Sequence, residues 1–193
     1  MKYLLSFAVV AATASAQAGD LFYDDFDTEN GGNSQLNYSG FANWGVTVGT
    51  VDLIANGFAG LSGNGMFVDM DGSSGIAGVM RTNQIFNLTG GVEYTLSFRL
   101  SGNQRGGSQD LMNVNIANYT ENFSEAPNSG WQVVTRNFTP AVDTASKLSF
   151  EHFGGDNLGM LIDEVRLTVV PEPSSVLAIA AGLGLWIARR RRP

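Results

Sequence analysis

Val92-Glu93-Tyr94-Thr95-Leu96-Ser97-Phe98-Arg99-Leu100 decides the fold. Five apolar residues alternate with four polar ones. Successive side chains of a strand point to opposite faces, so this stretch has one dry face and one wet face. A helix would scatter the same residues around its circumference. A strand with one wet face belongs to an antiparallel sheet packed on one side only. The alternation predicts Tyr94, Leu96 and Phe98 in the core and Thr95 in water.

The same pattern recurs on both sides of it. Leu21 to Phe26, Trp44 to Val48 and Val51 to Ile54 precede it, the last two joined through Gly49. Gly65 to Met70 places Met66, Val68 and Met70 on one face, with Phe67 and Asp69 on the other. Ile76 to Arg81, Leu111 to Ile116, Trp131 to Phe138, Lys147 to Phe150 and Met160 to Val169 complete the set. Turn signals such as Asn30-Gly31-Gly32, Asp71-Gly72 and Asn103 to Gly107 separate them. About nine or ten short strands predict an all-β fold, a single jelly-roll β-sandwich over residues 19–169. A barrel or a solenoid is the alternative; no repeat of fixed period supports the solenoid.

Composition narrows the chemistry. The chain has no cysteine and one histidine. A fold without disulfides must stand on its core or on a metal. Cysteine–histidine catalysis is excluded, and no Gly-x-Ser-x-Gly elbow or His-Glu-x-x-His pair occurs. His152 closes a strand and reads as a structural or exposed residue. Asp69 and Asp71 share one face just before a Gly-Ser turn and read as a solvated face. Net charge is −7 for the whole chain. Without Lys2, Glu172 and the four terminal arginines, 6 basic residues face 17 acidic ones, a net −11. Such a domain repels phosphate backbones, so no nucleic-acid partner is expected.

Both ends carry targeting signals. Met1-Lys2 is a short positive start and Tyr3 to Ala14 a mostly apolar run. Ala14-Ser15-Ala16, or alternatively Ala16-Gln17-Ala18, is a small-x-small cleavage site. Residues 1–18 therefore read as a secretory signal peptide with a helical apolar core. At the other end Pro171-Glu172-Pro173 is a stiff, extended marker. Ser174 to Ala188 is uncharged, and Arg189, Arg190, Arg191 and Arg192 follow. An apolar run followed by arginines reads as a short transmembrane helix with its cations on the cytoplasmic side. Its 15 residues reach roughly 22 Å against a hydrocarbon core of about 30 Å. The order of these three elements over 170–193 resembles the PEP-CTERM sorting signal of Gram-negative bacteria, also labelled the ice-binding-protein C-terminal motif. The resemblance implies an exosortase as partner, a membrane transpeptidase that cuts near the Pro-Glu-Pro. It implies export, transient anchoring in the inner membrane, and a cell surface or matrix rich in exopolysaccharide. An ordinary tail anchor is the alternative. No regular threonine array supports ice binding.

A second resemblance rests on Phe41 to Val48, Val51 to Ile54, Phe67 to Gly72 and Leu161 to Leu167. These look like the strand signatures of galactose-binding-like jelly rolls, which include many carbohydrate-binding modules. They imply non-catalytic binding of extracellular polysaccharide. Candidate contacts are Trp131, whose ring could stack on a sugar face, and Asn103, Gln104 and Arg105 in a polar, glycine-containing loop. Core packing for Trp131 and a plain hairpin loop for the others are the alternatives. Strand parity groups Asp163 with Leu161, Val165, Leu167 and Val169 and turns it toward the core. By resemblance, a structural calcium ion joins the first and last strands, with Asp163 on one side and Asp25, Asp27 or Glu29 on the other. Calcium prefers such oxygen ligands. Alternatively, Asp163 accepts backbone hydrogen bonds. Two further functions stay open: a matrix protein without a specific ligand, and a carboxylate-dependent glycan hydrolase.

Overall fold

The computed structural model describes residues 19–170. The expected signal helix, the transmembrane helix and the sorting residues Pro171, Glu172, Pro173 and Arg189 to Arg192 lie outside the described residues. Gly19–Val170 is one compact unit that holds its whole core and all its strand pairings. That is the condition for folding on its own.

The unit is all-β. Its strands are β1 (Asp20–Asp24), β2 (Trp44–Val48), β3 (Asp52–Ala55), β4 (Met66–Asp69), β5 (Val79–Thr82), β6 (Phe86–Leu88), β7 (Tyr94–Ser101), β8 (Asp110–Ile116), β9 (Tyr119–Glu125), β10 (Gln132–Phe138), β11 (Thr144–Ser146), β12 (Ser149–His152) and β13 (Leu161–Val169). One sheet runs β10-β7-β13-β4-β3, with β1 also on β13; the other runs β2-β5-β12-β8-β9. A small ribbon pairs β11 with β6. All pairings are antiparallel, and the two large sheets are open.

The alternation of the central strand holds. Tyr94, Leu96, Phe98 and Leu100 are buried, while Thr95, Ser97 and Arg99 are half-buried. Phe98 meets Phe150 of the opposite sheet edge to face at 5.2 Å and Phe123 at 5.4 Å. Trp44, buried as a core residue, packs against Phe150 and Phe22. Side chains from both sheets thus build one shared core.

Thirteen strands replace the nine or ten expected. β6 and β11 have three residues each, too few for alternation to register. β9 buries only Phe123, because it is an edge strand of its sheet and needs no second anchor. A second departure concerns β4, all four of whose residues are buried. Met66 and Val68 face the shared core. Phe67 joins Ile54, Leu61 and Leu161 in a separate apolar cluster on the other side of the sheet, with Trp131 against it. The connection after β3 supplies Leu61 and so covers a face that strand parity left wet.

β13 contains a bulge. Its register on β7 jumps from Asp163↔Arg99 to Arg166↔Ser97, and Glu164 takes φ 48. One extra residue reverses the alternation. Ile162, Val165 and Leu167 all belong to the shared core. The parity expected for Asp163 is therefore corrected. Asp163 is 1% exposed, but it lies on the face of Leu161 and Arg99, opposite Val165.

Candidate functional site

At one end of the sandwich the chain leaves β4 through Asp69 and Asp71. Both are fully buried, which corrects the solvated face expected for them. Burying a carboxylate is costly unless donors surround it, and here backbone amides do. Asp69 Oδ1 accepts from the Asp71 N–H at 3.1 Å and the Gly159 N–H at 3.0 Å, and its Oδ2 pairs with the Arg105 guanidinium. Asp71 Oδ2 accepts from the Gly155 N–H at 2.7 Å and the Asp156 N–H at 3.1 Å. Two aspartates on one strand end therefore hold two loops: the one after β7 through Arg105, and the one before β13 through three amides.

Asn103 fixes the first loop from inside. It is fully buried, its Oδ1 accepts from the Arg105 and Gly106 N–H groups at 2.8 and 3.0 Å, and its Nδ2 donates to Asp110 Oδ2 at 2.9 Å. His152, 3% exposed, stands under the second loop. Its Nε2 accepts from the Met160 N–H at 3.3 Å, which leaves the proton of the neutral ring on Nδ1. Burial holds its pKa down, against the pull of Asp71 and Asp156. His152 is thus structural, as its place at a strand end suggested. Its Nδ1 and Asp71 Oδ1 are buried without a hydrogen-bond partner among the described residues.

Between the loops opens a cleft of about 340 Å³, with Ser108, Gln109 and Asp110 on one side and Phe153 to Asp156 on the other. The Phe153 ring is 51% exposed. Asp110 is buried and its Oδ1 is 3.9 Å from His152 Nε2, beyond hydrogen-bond reach. Burial pushes the Asp110 carboxyl up, and the nearby Asp156 and Asp71 push it further. Burial likewise pushes Asp69 up to about 7 despite Arg105. The cleft can stack an apolar ring face on Phe153 and accept hydrogen bonds at carboxylates beside it.

The residues singled out from the sequence fall into three places. Asn103 and Arg105 frame the cleft, but as braces: Asn103 spends its amide on the loop and on Asp110, and Arg105 pairs with Asp69. Trp131 and Gln104 meet elsewhere, around Ser62. The Trp131 Nε1–H donates to the Ser62 carbonyl at 2.7 Å; Gln104 accepts from the Ser62 N–H at 2.8 Å and donates to its carbonyl at 2.9 Å. Arg99 lies 5.0 Å above the Trp131 ring. The acidic residues near the chain start each serve the fold too. Glu29 accepts from the Ala42 N–H and the Tyr38 hydroxyl, Asp25 from the Asp27 N–H, and Asp27 from the Met66 N–H at 2.7 Å. Asp163 accepts from the Glu164 N–H at 2.7 Å and lies 3.5 Å from Arg99. Burial lifts it to about 7, with Glu164 and Asp27 adding to the rise. Among the described residues no three carboxylate or histidine groups gather as a metal site.

Asp69, Asp71, Phe153 and Asp156 were not read as a site. The one available signal was Asp69-x-Asp71 before Gly72, together with the glycine-rich run Gly154-Gly155-Asp156 and Gly159, whose amides a carboxylate can reach.

The chain carries a PEP-CTERM protein-sorting motif, matched over residues 169–192. Such a motif implies export through a membrane-anchored sorting intermediate. Among the described residues no helix is long and apolar enough to cross a membrane; the apolar run of the tail lies outside them. Structural neighbours include carbohydrate-binding modules of jelly-roll fold. A module described as CBM4 is 20% identical, with a TM-score of 0.42, over 75% of this chain and 91% of its own. The CBM22-1 xylan-binding domain of Xyn10C from Paenibacillus barcinonensis is 12% identical, with a TM-score of 0.44, over 81% and 98%. The K3 cleaved adhesin domain of Lys-gingipain from Porphyromonas gingivalis is 16% identical, with a TM-score of 0.47, over 79% and 99%. No curated protein matches the chain.

Proposed function

We propose that this chain is an exported, exosortase-sorted surface or matrix protein whose jelly-roll domain binds extracellular polysaccharide without catalysis. One observation carries the reading: the cleft sets the exposed Phe153 ring beside the carboxylates of Asp110 and Asp156, on loops braced by buried aspartates. A ring and fixed acceptors are what a pyranose offers partners to, through its C–H face and its hydroxyls. The sorting motif supplies the setting, a polysaccharide-rich exterior. Residues 1–18 serve as signal peptide and the tail as a transient inner-membrane anchor.

The test is a glycan array probed with Gly19–Val170, followed by the Phe153→Ala variant. Retention of a subset of glycans, lost in the variant with unchanged melting, supports the reading. Silence on the array with undiminished matrix association favours a structural matrix protein. A second reading has one observation behind it. Asp110, raised by burial, shares the cleft with a second carboxylate, Asp156, and a raised carboxyl beside another carboxylate is what a glycoside hydrolase needs. Release of reducing sugar, abolished by Asp110→Asn, would establish it. We also keep a structural calcium ion as a proposal, on Asp163 and Asp27. Their carboxylates are close enough for Asp27 to raise Asp163; Asp25 and Asp27 each keep one oxygen free of the chain, while Glu29 spends both.

A further inference from the structure

Resting on the polysaccharide-binding reading, we infer that the loop-end cleft selects a sugar bearing a free ammonium group. Three carboxylates act on this one cleft. Asp110 and Asp156 line it, and Asp71 stands directly behind its Gly155–Asp156 wall. The nearby cation, Arg105, pairs with Asp69 and offsets only part of the charge around Asp110. Negative charge dominates at the mouth, where Asp156 and Asp71 each act on Asp110 more strongly than Arg105 does.

Unused acceptors point the same way. Asp110 is nine-tenths buried, yet its Oδ1 has no hydrogen bond while its Oδ2 takes Asn103. Asp71 Oδ1 is buried without a partner. Asp156 spends Oδ1 on the Leu158 N–H at 3.2 Å. An ammonium brings three donors and one positive charge and no acceptor, which fits a wall of carboxylates. A hydroxyl brings one donor and leaves the charge standing. A uronate adds a like charge and is repelled. The exposed Phe153 ring takes the apolar sugar face and adds attraction for a cation held near it.

The Gly154 position closes the site from behind. A Cβ there would lie 2.5 Å from Asp71 Oδ2 and 2.8 Å from His152 Nδ1. A side chain at 154 would push the second loop off its brace, so the loop can approach the buried pair only with glycine.

The experiment uses isothermal titration of Gly19–Val170 with three probes: a hexamer of β-1,4-linked glucosamine, its fully N-acetylated counterpart, and oligogalacturonate. The expected result is at least tenfold tighter binding of the glucosamine hexamer than of the acetylated one, and no uronate binding. The preference should weaken with added salt and vanish in Asp156→Asn. That side chain is exposed and braces only its own turn, so the variant keeps its fold; Asp143→Asn, on another part of the acidic surface, should change nothing. Equal binding of both hexamers, or a glucosamine preference that survives Asp156→Asn and falls with Asp143→Asn, overturns the ammonium inference and leaves glycan binding intact. If none of the three probes binds while the array retains other glycans, the inference falls and the wider reading stands. If the array is silent as well, both fall.

Discussion

The strand bodies and the loop end of this domain are held together in opposite ways. Between the sheets, Leu96, Phe98, Phe150, Val165 and Leu167 are buried and apolar, and burial of area stabilises them without direction. At the loop end, Asp69, Asp71, Asn103, Asp110 and His152 are equally buried, and each depends on particular donors at particular distances. The first region tolerates any residue of suitable size and shape. The second needs its amides in place, and so fixes two loops rigidly without an apolar filling. A site that recognises polar ligands gains from the second kind of order, because its walls are set before the ligand arrives.

The largest effect should come from the shared core. Leu96→Ala removes a fully buried side chain and should cost about 2–5 kcal/mol. Thr95→Ala, on the outer face, should cost under roughly 1 kcal/mol. Urea melts of both variants measure the contrast, and equal costs would break the assignment of faces. Next comes Asp71→Ala. It leaves the Gly155 and Asp156 N–H groups without their acceptor, a cost of about 1–3 kcal/mol. Its second signature separates the two regions: faster amide exchange confined to 154–159, with the sheets unchanged. Uniform loss of protection would show that the loop end and the sheets are one cooperative unit.

Sequence reading recovered the first region far better than the second. Alternation located β7 within two residues and placed Tyr94, Leu96 and Phe98 correctly, because period two is a direct record of burial on one face. It failed where an element is buried on both sides. Phe67 and Asp69 were assigned to a wet face that the connection after β3 and the 153–160 segment in fact cover. It failed again at Asp163, because a bulge at Glu164 breaks the period and nothing in Asp163-Glu164-Val165 announces it. The polar loop from Asn103 was singled out for glycan contacts; in the fold its Asn103 amide and Arg105 are braces beside the cleft. Phe153 and Asp156 gave no warning, since their partnership with Asp110 spans some forty residues of chain and exists only in the fold.

The buried carboxylates of the loop end and of the sheet make a third contrast with the apolar core. Asp69 and Asp163 have folded pKa values of about 7 against ordinary values near 3.8, and Asp110 is raised too. A raised carboxylate favours the folded state most when protonated. Its contribution is complete below about pH 4 and is lost as pH climbs through 7. His152 acts in the other direction: its lowered pKa keeps stability intact above 6.5 and removes it as pH falls through the folded value. The expected profile rises from pH 8 to about 6 and turns over at more acid pH. The ceiling is about 1.4 kcal/mol per pH unit per group, and a net gain of about 1–2 kcal/mol is expected from pH 8 to 6. Asp69→Asn should flatten the limb between pH 6 and 8. An unchanged slope in that variant, or a profile that falls from pH 8 to 6, would remove Asp69 from the account.

The smallest predicted effect tests whether a buried carboxylate within the sheet behaves like those at the loop end. Asp69 and Asp71 are surrounded by amides, whereas Asp163 has the Glu164 N–H, Arg99 at 3.5 Å and the repulsion of Glu164 and Asp27. Its charge is the less well compensated by donors, and added positive charge beside Asp27 would relieve it. Under the calcium proposal the ion binds the native state alone and stabilises by RT ln(1 + [L]/Kd), about 1.4 kcal/mol at a tenfold excess over Kd. Melting of Gly19–Val170 in calcium and in EDTA measures it. The expected result is a higher Tm in calcium and none of that gain in Asp163→Ala. Asp71→Ala should keep the gain, since its carboxylate serves the Gly155 and Asp156 N–H groups instead. A Tm indifferent to both additives, or a calcium response that Asp163→Ala leaves whole, would leave the Glu164 N–H and Arg99 as the partners of Asp163 and remove the ion from this site. In that case the sheet and the loop end would hold a buried carboxylate in the same way, with backbone amide and guanidinium together: the Glu164 N–H and Arg99 for Asp163, the Asp71 and Gly159 N–H groups and Arg105 for Asp69.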